Sequence, residues 1–252
     1  MIFLGSKIER ALLNLLFPQK CIFCGDILLK QTRVNDSLRI CQSCGKKVLN
    51  HGGDTSFESN KTHIGYVIAP LSYQDEKVAR SLRAYKFHSK RIYGKTFGEI
   101  MADAVLKNEA LFRSIRSYIV CSVPLSKERM LERGFNQSDI LAKEVAVRLG
   151  FSYQKDVLTK VRHTERQSHL HSELRMKNIE GAYIVTKDVV GQKILLVDDI
   201  YTTGSTLNEC AKMLFEAGAS DIVGFCCAIN RDFTVTEEKL WQGSENDEFA
   251  IW

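Results

Sequence analysis

Residues 193–206 have the sequence KILLVDDIYTTGST, and this stretch decides the fold of the 252-residue chain. The apolar residues 194–197 predict a strand buried on both faces, and a polar loop follows before a helix begins. Asp198 and Asp199 stand at the carboxyl end of the strand, where open α/β sheets bind their ligands. The stretch therefore predicts a parallel α/β sheet with a ligand site at the start of the loop.

The loop after the strand has the parts of a phosphate cradle. Its hydroxyl-bearing and glycine residues are Thr202, Thr203, Gly204, Ser205 and Thr206. Backbone N–H groups at a helix start favour an anion, and glycine permits its close approach. Because carboxylates repel phosphate, Asp198 and Asp199 suit a neighbouring sugar diol or a magnesium ion instead. A phosphorylated ribose satisfies both halves of the site, whereas the alternative is an ordinary strand end with a capped helix. The sequence has neither GxxxxGK[ST] nor GxGxxG after a strand, which argues against two other phosphate folds.

Strand and helix patterns alternate around this stretch. Strands are predicted at 64–73, 117–125, 181–185, 193–199 and 221–229, and helices at 75–107, 136–150 and 205–218. Because the strands are apolar throughout and helices lie between them, the sequence predicts a parallel sheet covered on both faces. Residues 2–16 form a further predicted amphipathic helix, which ends before Pro18.

Four of the eight cysteines lie in two closely spaced pairs. Cys21-x2-Cys24 and Cys41-x2-Cys44 are separated by 16 residues, a spacing typical of structural zinc sites. Each Cys-x2-Cys pair forms a tight turn, called a knuckle. Two knuckles supply four thiolates to a tetrahedral metal site, which leaves no open coordination position. A glycine follows the second cysteine of each pair, where we expect a sharp turn to need backbone freedom. The alternatives are four buried or redox-active thiols, or an iron site of the same geometry.

Charge is distributed unevenly along the chain. The whole chain has a formal net charge of +5, whereas residues 232–252 carry −5 and residues 1–231 therefore carry +10. A basic body with an acidic tail is compatible with a polyanionic partner. No apolar run reaches the roughly 18–20 residues of a membrane span, and the N-terminus lacks the charge pattern of a secretory signal. We therefore expect a cytoplasmic protein, in which paired cysteines more often bind metal than form disulfides.

The segment VDDIYTTGST at 197–206 resembles the phosphoribosyl pyrophosphate (PRPP) motif of type I phosphoribosyltransferases. Together with the cysteine pairs, it makes the chain resemble the ComF family (ComFC and GntX), in which a zinc-binding N-terminal part precedes a Rossmann-like phosphoribosyltransferase domain. Further matches are Val123-Pro124-Leu125, Arg133-Gly134-Phe135-Asn136-Gln137, Arg162, Thr164, Gln167, Arg175 and Asn178. The resemblance covers about residues 10–230. We expect three parts: the helix and four-cysteine zinc module at 1–55, the phosphoribosyltransferase-like domain at 56–231 and an acidic tail at 232–252.

The resemblance implies a role for most of the candidate residues. The aspartate pair would hold the ribose hydroxyls or magnesium, and residues 202–206 would hold the 5-phosphate. Arg129 and Arg133 would face the pyrophosphate, which also suits the forked donors of arginine. Residues 160–178 lie where the family has a mobile hood, although a solvated loop is an equal alternative. Thr202 occupies the position of an aspartate that many purine phosphoribosyltransferases use, so the resemblance does not extend to that mechanism.

The ComF family is associated with natural transformation, in which single-stranded DNA is handled on the cytoplasmic side. The resemblance therefore implies a PRPP-binding accessory factor that handles single-stranded DNA with the DNA-uptake machinery. Basic residues with interleaved aromatics at 83–93 fit this function, and Lys86, Lys90 and Arg91 are the candidate DNA contacts. The alternative for that segment is a helix whose aromatics face the core. Two other functions stay open: an active phosphoribosyltransferase with an unidentified acceptor, and a PRPP-sensing regulator. The implied cofactors are a structural Zn2+ and Mg2+ with PRPP.

Overall fold

The computed structural model covers most of the chain between the two ends. It describes residues 16, 18–29, 32–34, 38–49, 56–59, 61–87, 90–162 and 179–230. The predicted helix at 2–16, apart from Leu16, lies outside the described residues. The same holds for residues 163–178 of the predicted hood and for the predicted acidic tail.

Among the described residues, six strands form one sheet, and two more form a separate antiparallel hairpin. The strands are β1 (Ser56–Glu58), β2 (Tyr66–Ile68), β3 (Leu71–Ser72), β4 (Ile119–Ser122), β5 (Leu158–Lys160), β6 (Tyr183–Val185), β7 (Lys193–Tyr201) and β8 (Asp221–Ile229). The main sheet has the order β1-β2-β8-β7-β4, and β3 pairs with the end of β8 beyond β2. The pairs of β2, β3 and β7 with β8, and of β4 with β7, are parallel, while β1 is antiparallel to β2. The predicted parallel sheet is therefore confirmed.

The longer helices lie where the sequence pattern predicts them. The helices of the described residues are α1 (Gln42–Leu49), α2 (Glu76–Phe87), α3 (Arg91–Leu106), α4 (Glu109–Ile115), α5 (Lys127–Arg133), α6 (Gln137–Leu149) and α7 (Ser205–Glu216). The helical region predicted at 75–107 is two helices, α2 and α3. In α6, the Asn136 side chain accepts a hydrogen bond from the Ser138 N–H, and Gly150 ends the helix in a left-handed conformation.

The strand predicted at 64–73 is interrupted in its middle. Its two halves are β2 and β3, and both pair with β8. Pro70 stands between them, and it has no N–H to donate to a strand ladder. The interruption at this point follows from that missing donor.

The two faces of β7 point into two separate hydrophobic cores. Leu195 and Val197 belong to the core that α2, α3 and α6 share with the cysteine segment. Ile194 and Leu196 belong to the other core, with α7 and the β5–β6 hairpin. This alternation explains why the strand is apolar at every position from 194 to 197, since neither face meets water.

Candidate functional site

A cleft of about 620 Å³ opens at the carboxyl ends of β4 and β7. Nine of the residues singled out from the sequence line it, namely Lys86, Arg129, Arg133, Asp198, Asp199, Thr202, Gly204, Ser205 and Thr206. They come from α2, from α5 and from the β7–α7 connection, so the parallel sheet brings together segments that are far apart in the chain. Parallel α/β sheets bind ligands at this edge.

The aspartate pair is held in place by two residues from other elements. Ser138 Oγ donates a hydrogen bond to Asp198 Oδ1 over 2.8 Å, and the Asp199 N–H donates to the same oxygen over 2.8 Å. Lys86 Nζ lies 2.8 Å from Asp199 Oδ1, and both side chains of this ion pair are less than a fifth exposed. Each carboxylate therefore has its own partner, a hydroxyl for Asp198 and an ammonium group for Asp199.

The surroundings of Asp198 disfavour its ionised form. Burial, and then the charge of the neighbouring Asp199, raise the pKa of Asp198 from 3.8 to about 7. Lys86 and the Ser138 hydroxyl act in the opposite direction but do not outweigh burial. Near neutral pH the ligand-free site can thus hold a proton on Asp198.

The loop after β7 forms a cradle at the N-terminus of α7. Gly204 has a φ of +73°, and a Cβ on it would collide with the Tyr201 ring, so only glycine fits without a shift of the ring. Thr203 Oγ1 and Ser205 Oγ share a hydrogen bond of 2.8 Å. Thr203 does not line the cleft, whereas Thr202 and Thr206 do. The cradle presents hydroxyls and the positive end of a twelve-residue helix to the same space.

The opposite wall of the cleft is formed by the β4–α5 loop and α5. Ser126 caps α5 by accepting a hydrogen bond from the Arg129 N–H over 3.4 Å. Arg133 Nη1 donates to Gln137 Oε1 over 2.8 Å, and its guanidinium carbon lies 5.1 Å from the centroid of the Phe87 ring. Arg129 and Arg133 both line this wall of the cleft, and their contact with pyrophosphate stays a prediction.

Lys160 and Arg83 also line the cleft, although the sequence did not single them out as site residues. Lys160 is 8% exposed at the end of β5, and its Nζ lies 5.1 Å from the centroid of the Tyr183 ring. Burial, and then the charge of Arg129, lower the pKa of Lys160 to about 8. The sequence feature that could have identified Lys160 is its position at the end of an apolar strand, directly before a basic segment.

The three candidate DNA contacts do not lie on one surface. Lys86 faces the cleft and pairs with Asp199. Lys90 and Arg91 are exposed at the start of α3, where Arg91 donates to the Gly134 carbonyl oxygen and covers the Phe135 ring. Of the aromatics beside them, Tyr85 is fully buried and cannot stack on a base, as the core-facing alternative predicts.

The four paired cysteines form a cluster whose sulfur atoms all lie within 4.8 Å of one another. Cys24 Sγ and Cys41 Sγ are 3.7 Å apart. Four sulfurs around a zinc ion at about 2.3 Å would be separated by about 3.8 Å, so the cluster fits a tetrahedral metal site. The Cys41 N–H also donates to Cys21 Sγ over 3.4 Å, which would stabilise a thiolate. The four cysteines are thus placed to bind a metal ion such as zinc.

Glycine is needed for a different reason at each of the two positions that follow the cysteine pairs. Gly25 has a φ of +85°, which confirms the expected turn. Gly45 lies inside α1, where the expectation of a sharp turn is wrong. A Cβ on Gly45 would instead collide with the Val34 side chain, so this glycine allows a close approach.

Two kinds of comparison show which known proteins the chain is similar to. A model of the phosphoribosyl transferase domain matches residues 131–249. The competence protein ComFC of Streptococcus pneumoniae is 29% identical over 233 residues, which cover 82% of this chain and 98% of that protein. The chain is therefore similar to ComF-family competence proteins and contains a match to the phosphoribosyl transferase domain. The DNA utilization protein YhgH of Salmonella typhi is 40% identical to this chain over 107 residues, 42% of this chain. In this case the chain spans about half (47%) of the length of the relative.

Solved structures are also similar to this chain. The glutamine PRPP amidotransferase from B. subtilis, in complex with ADP and GMP, has 20% sequence identity and a TM-score of 0.39. The match covers 58% of this chain and 30% of that enzyme. Over the part of the chain that the structure describes, none of the helices is both long and apolar enough to span a membrane.

Proposed function

We propose that this chain binds PRPP together with Mg2+ and works as a cytoplasmic accessory factor for natural transformation that handles single-stranded DNA. One observation carries the proposal. The cleft at the ends of β4 and β7 combines an aspartate pair, a hydroxyl-rich helix N-terminus and a wall of cationic side chains. A phosphorylated ribose with a pyrophosphate group needs these three kinds of partner.

The three parts of PRPP would take separate places in the cleft. Residues 202–206 would hold the 5-phosphate at the N-terminus of α7, where backbone N–H groups favour an anion, and Thr203 would act from outside the cleft through its hydrogen bond with Ser205 Oγ. Asp198 and Asp199 would accept hydrogen bonds from the ribose hydroxyls or hold Mg2+, which prefers oxygen ligands. Arg129 and Arg133 would donate forked hydrogen bonds to the pyrophosphate oxygens. When bound, Mg2+ would supply charge neutralisation for the pyrophosphate.

A zinc ion in the cysteine cluster would have a structural role. The four thiols close the coordination sphere and leave no position for a substrate. Without a metal, burial and then the charge of Cys21 raise the pKa of Cys44 to about 11. Metal binding would therefore release protons and stabilise the fold of residues 18–49.

The DNA-handling part of the proposal rests on the relatives and on surface charge. The matched proteins are named for competence and for DNA utilization. Lys90 and Arg91 are exposed next to the cleft and would contact the phosphates of a single strand. Lys86 is drawn into the cleft by Asp199, so its geometry favours a role in PRPP binding over DNA contact.

Calorimetric titration with PRPP, with and without Mg2+, tests the ligand. We expect one PRPP per chain, tighter binding with Mg2+, and weaker binding of ribose 5-phosphate, because the latter lacks the group that faces Arg129 and Arg133. Equal affinities for PRPP and ribose 5-phosphate would contradict the assigned orientation. A parallel titration of labelled single-stranded DNA at several salt concentrations tests the partner, since phosphate contacts make affinity salt-dependent.

A second candidate function is transfer of the phosphoribosyl group to an unidentified acceptor. The cationic wall around Arg129, Arg133 and Lys160 favours it, because these side chains would stabilise the charge on leaving pyrophosphate. Release of pyrophosphate from PRPP in the presence of an acceptor would establish transfer. PRPP binding without release for any nucleobase or amine tested would favour the accessory factor or a PRPP-sensing regulator.

A further inference from the structure

We infer that helix α2 couples the cysteine cluster to the PRPP cleft, with Arg80 and Ser81 as positioning residues for Lys86. The inference rests on the proposed function and extends it. Occupancy of the metal site would set the affinity for PRPP through the position of one lysine.

The first end of the connection lies at the cysteine knuckle. Ile22 and Phe23 are the two residues between Cys21 and Cys24, and their carbonyl oxygens face α2. Ser81 Oγ, which is buried, lies 2.6 Å from the Ile22 oxygen, and Arg80 Nη2 donates to the Phe23 oxygen. The backbone that would wrap the metal is therefore held directly by this helix.

The second knuckle contacts the same face of α2. Lys77 Nζ lies 3.9 Å from Cys44 Sγ. Lys77, Arg80 and Ser81 are spaced by three and four residues, so they share one face of the helix. One helix thus touches both halves of the cluster.

The other end of α2 reaches into the cleft. Arg83, Lys86 and Phe87 line it, and Lys86 Nζ forms the ion pair with Asp199. Ser81 and Lys86 are five residues apart, which is about 7.5 Å along a helix. Because an α-helix is stiff over this length, a shift at the knuckle would carry over to the lysine.

A second route runs through side chains and reaches the other wall of the cleft. The Phe23 and Phe97 ring centroids are 6.3 Å apart, and those of Phe97 and Tyr85 are 5.8 Å apart. Tyr85 donates its hydroxyl to the Gln137 carbonyl oxygen over 2.9 Å, and the Gln137 side chain accepts from Arg133. The knuckle is therefore packed, through buried contacts, against residues that hold both Asp199 and Arg133 in place.

These contacts have a direct consequence for the metal-free protein. Without a metal, the sulfurs are no longer held at fixed separations, and the Ile22 and Phe23 carbonyl oxygens can move away from α2. The Ile22 carbonyl oxygen would lose the Ser81 hydroxyl as a donor, whereas that hydroxyl keeps the Lys77 carbonyl oxygen, 2.7 Å away in its own helix, as an acceptor. The end of α2 would then loosen, and Lys86 would no longer be fixed against Asp199.

The first test measures the PRPP affinity of Ser81→Ala, Lys86→Met and the double variant by calorimetry. The zinc content of each variant is measured as well. We expect Ser81→Ala to keep its zinc and weaken PRPP binding by at least about fivefold in the wild-type background. In the Lys86→Met background the same change should have little effect, because the lysine is the route of the coupling. Ser114→Ala is the control for removal of a helical serine hydroxyl, since Ser114 is exposed and its Oγ donates to the Leu111 carbonyl oxygen of its own helix. An unchanged affinity, or an equal loss in both backgrounds, would overturn the inference.

The second test does not depend on PRPP. Hydrogen exchange is measured by mass spectrometry, with residues 109–115 as the reference segment. Exchange in residues 82–87 should become faster after zinc is chelated. It should also become faster in Ser81→Ala with zinc retained. Unchanged protection of residues 82–87 would refute the coupling. If the wild type does not bind PRPP at all, the proposed function fails, whereas hydrogen exchange still decides whether α2 connects the two sites.

Discussion

Replacing Asp198 by asparagine should stabilise the ligand-free protein in neutral and alkaline solution while removing its ability to bind PRPP. The asparagine carbonyl oxygen can accept both hydrogen bonds that Asp198 Oδ1 accepts, from Ser138 Oγ and from the Asp199 N–H. The substitution therefore keeps the local geometry. What it removes is a carboxylate that burial and Asp199 make hard to ionise.

The magnitude follows from the pKa of Asp198. Folding raises that pKa from 3.8 to about 7, so the folded wild type binds the proton more tightly than the unfolded chain does. Its free energy of unfolding therefore falls as the pH rises from about 4 to about 7. At about 1.4 kcal/mol per pKa unit, the raised pKa of Asp198 lowers the free energy of unfolding by about 4 kcal/mol at pH 8 and by about 1–2 kcal/mol at pH 5. Since the asparagine side chain does not titrate, the advantage of Asp198→Asn should grow by up to about 3 kcal/mol between pH 5 and pH 8.

Urea denaturation followed by circular dichroism at pH 5 and pH 8 measures this difference. Asp156→Asn is the matched control, because Asp156 is exposed and its positive φ of 55° is one that asparagine tolerates. The control should change the free energy of unfolding by less than about 0.5 kcal/mol at either pH. A variant of Asp198 whose stability relative to wild type is the same at both pH values would refute the reasoning.

Three further changes test other parts of the site. Gly204→Ala should lower the free energy of unfolding by about 1–3 kcal/mol, because Gly204 has a positive φ and an added Cβ would clash with Tyr201. Gly191→Ala should have a smaller effect, because Gly191 has a similar φ but open space around it. Urea denaturation of the two variants measures the difference. Cys24→Ser should remove zinc from the purified protein, as measured by elemental mass spectrometry, and retained stoichiometric zinc would disprove a site built from all four cysteines. Arg91→Ala should reduce the salt dependence of single-stranded DNA binding by about 0.7 in a plot of log affinity against log salt, and an unchanged slope in fluorescence anisotropy would exclude Arg91 as a phosphate contact.

The centre of the fold could be predicted from the sequence because its local signals agree with one another. The predicted strand at 221–229 coincides with β8, and the strand predicted at 193–199 continues to Tyr201 in β7. Both are apolar runs bounded by glycine or polar residues, and both are buried on two faces. The short helices α1, α4 and α5 were not predicted, because seven or eight residues give too little periodicity for a pattern to be seen.

The chemical types at the site could be predicted, but their pairing could not. A loop next to a strand reveals its own hydroxyls and carboxylates, so the aspartate pair and residues 202–206 stand out in the sequence. The contact of Lys86 with Asp199 joins positions 113 residues apart, and no local pattern encodes it. Lys160 was overlooked as a cleft residue for the same reason, since its burial depends on how the β5–β6 hairpin packs.

We propose that the aspartate pair and the loop after β7 form a PRPP site. Calorimetric titration of PRPP with Mg2+ into the wild type and into the Asp198→Ala, Asp199→Ala double variant is the decisive test. We expect one bound PRPP per wild-type chain and no measurable binding to a double variant that stays folded. Retained binding by the double variant, or no binding by the wild type, would contradict it.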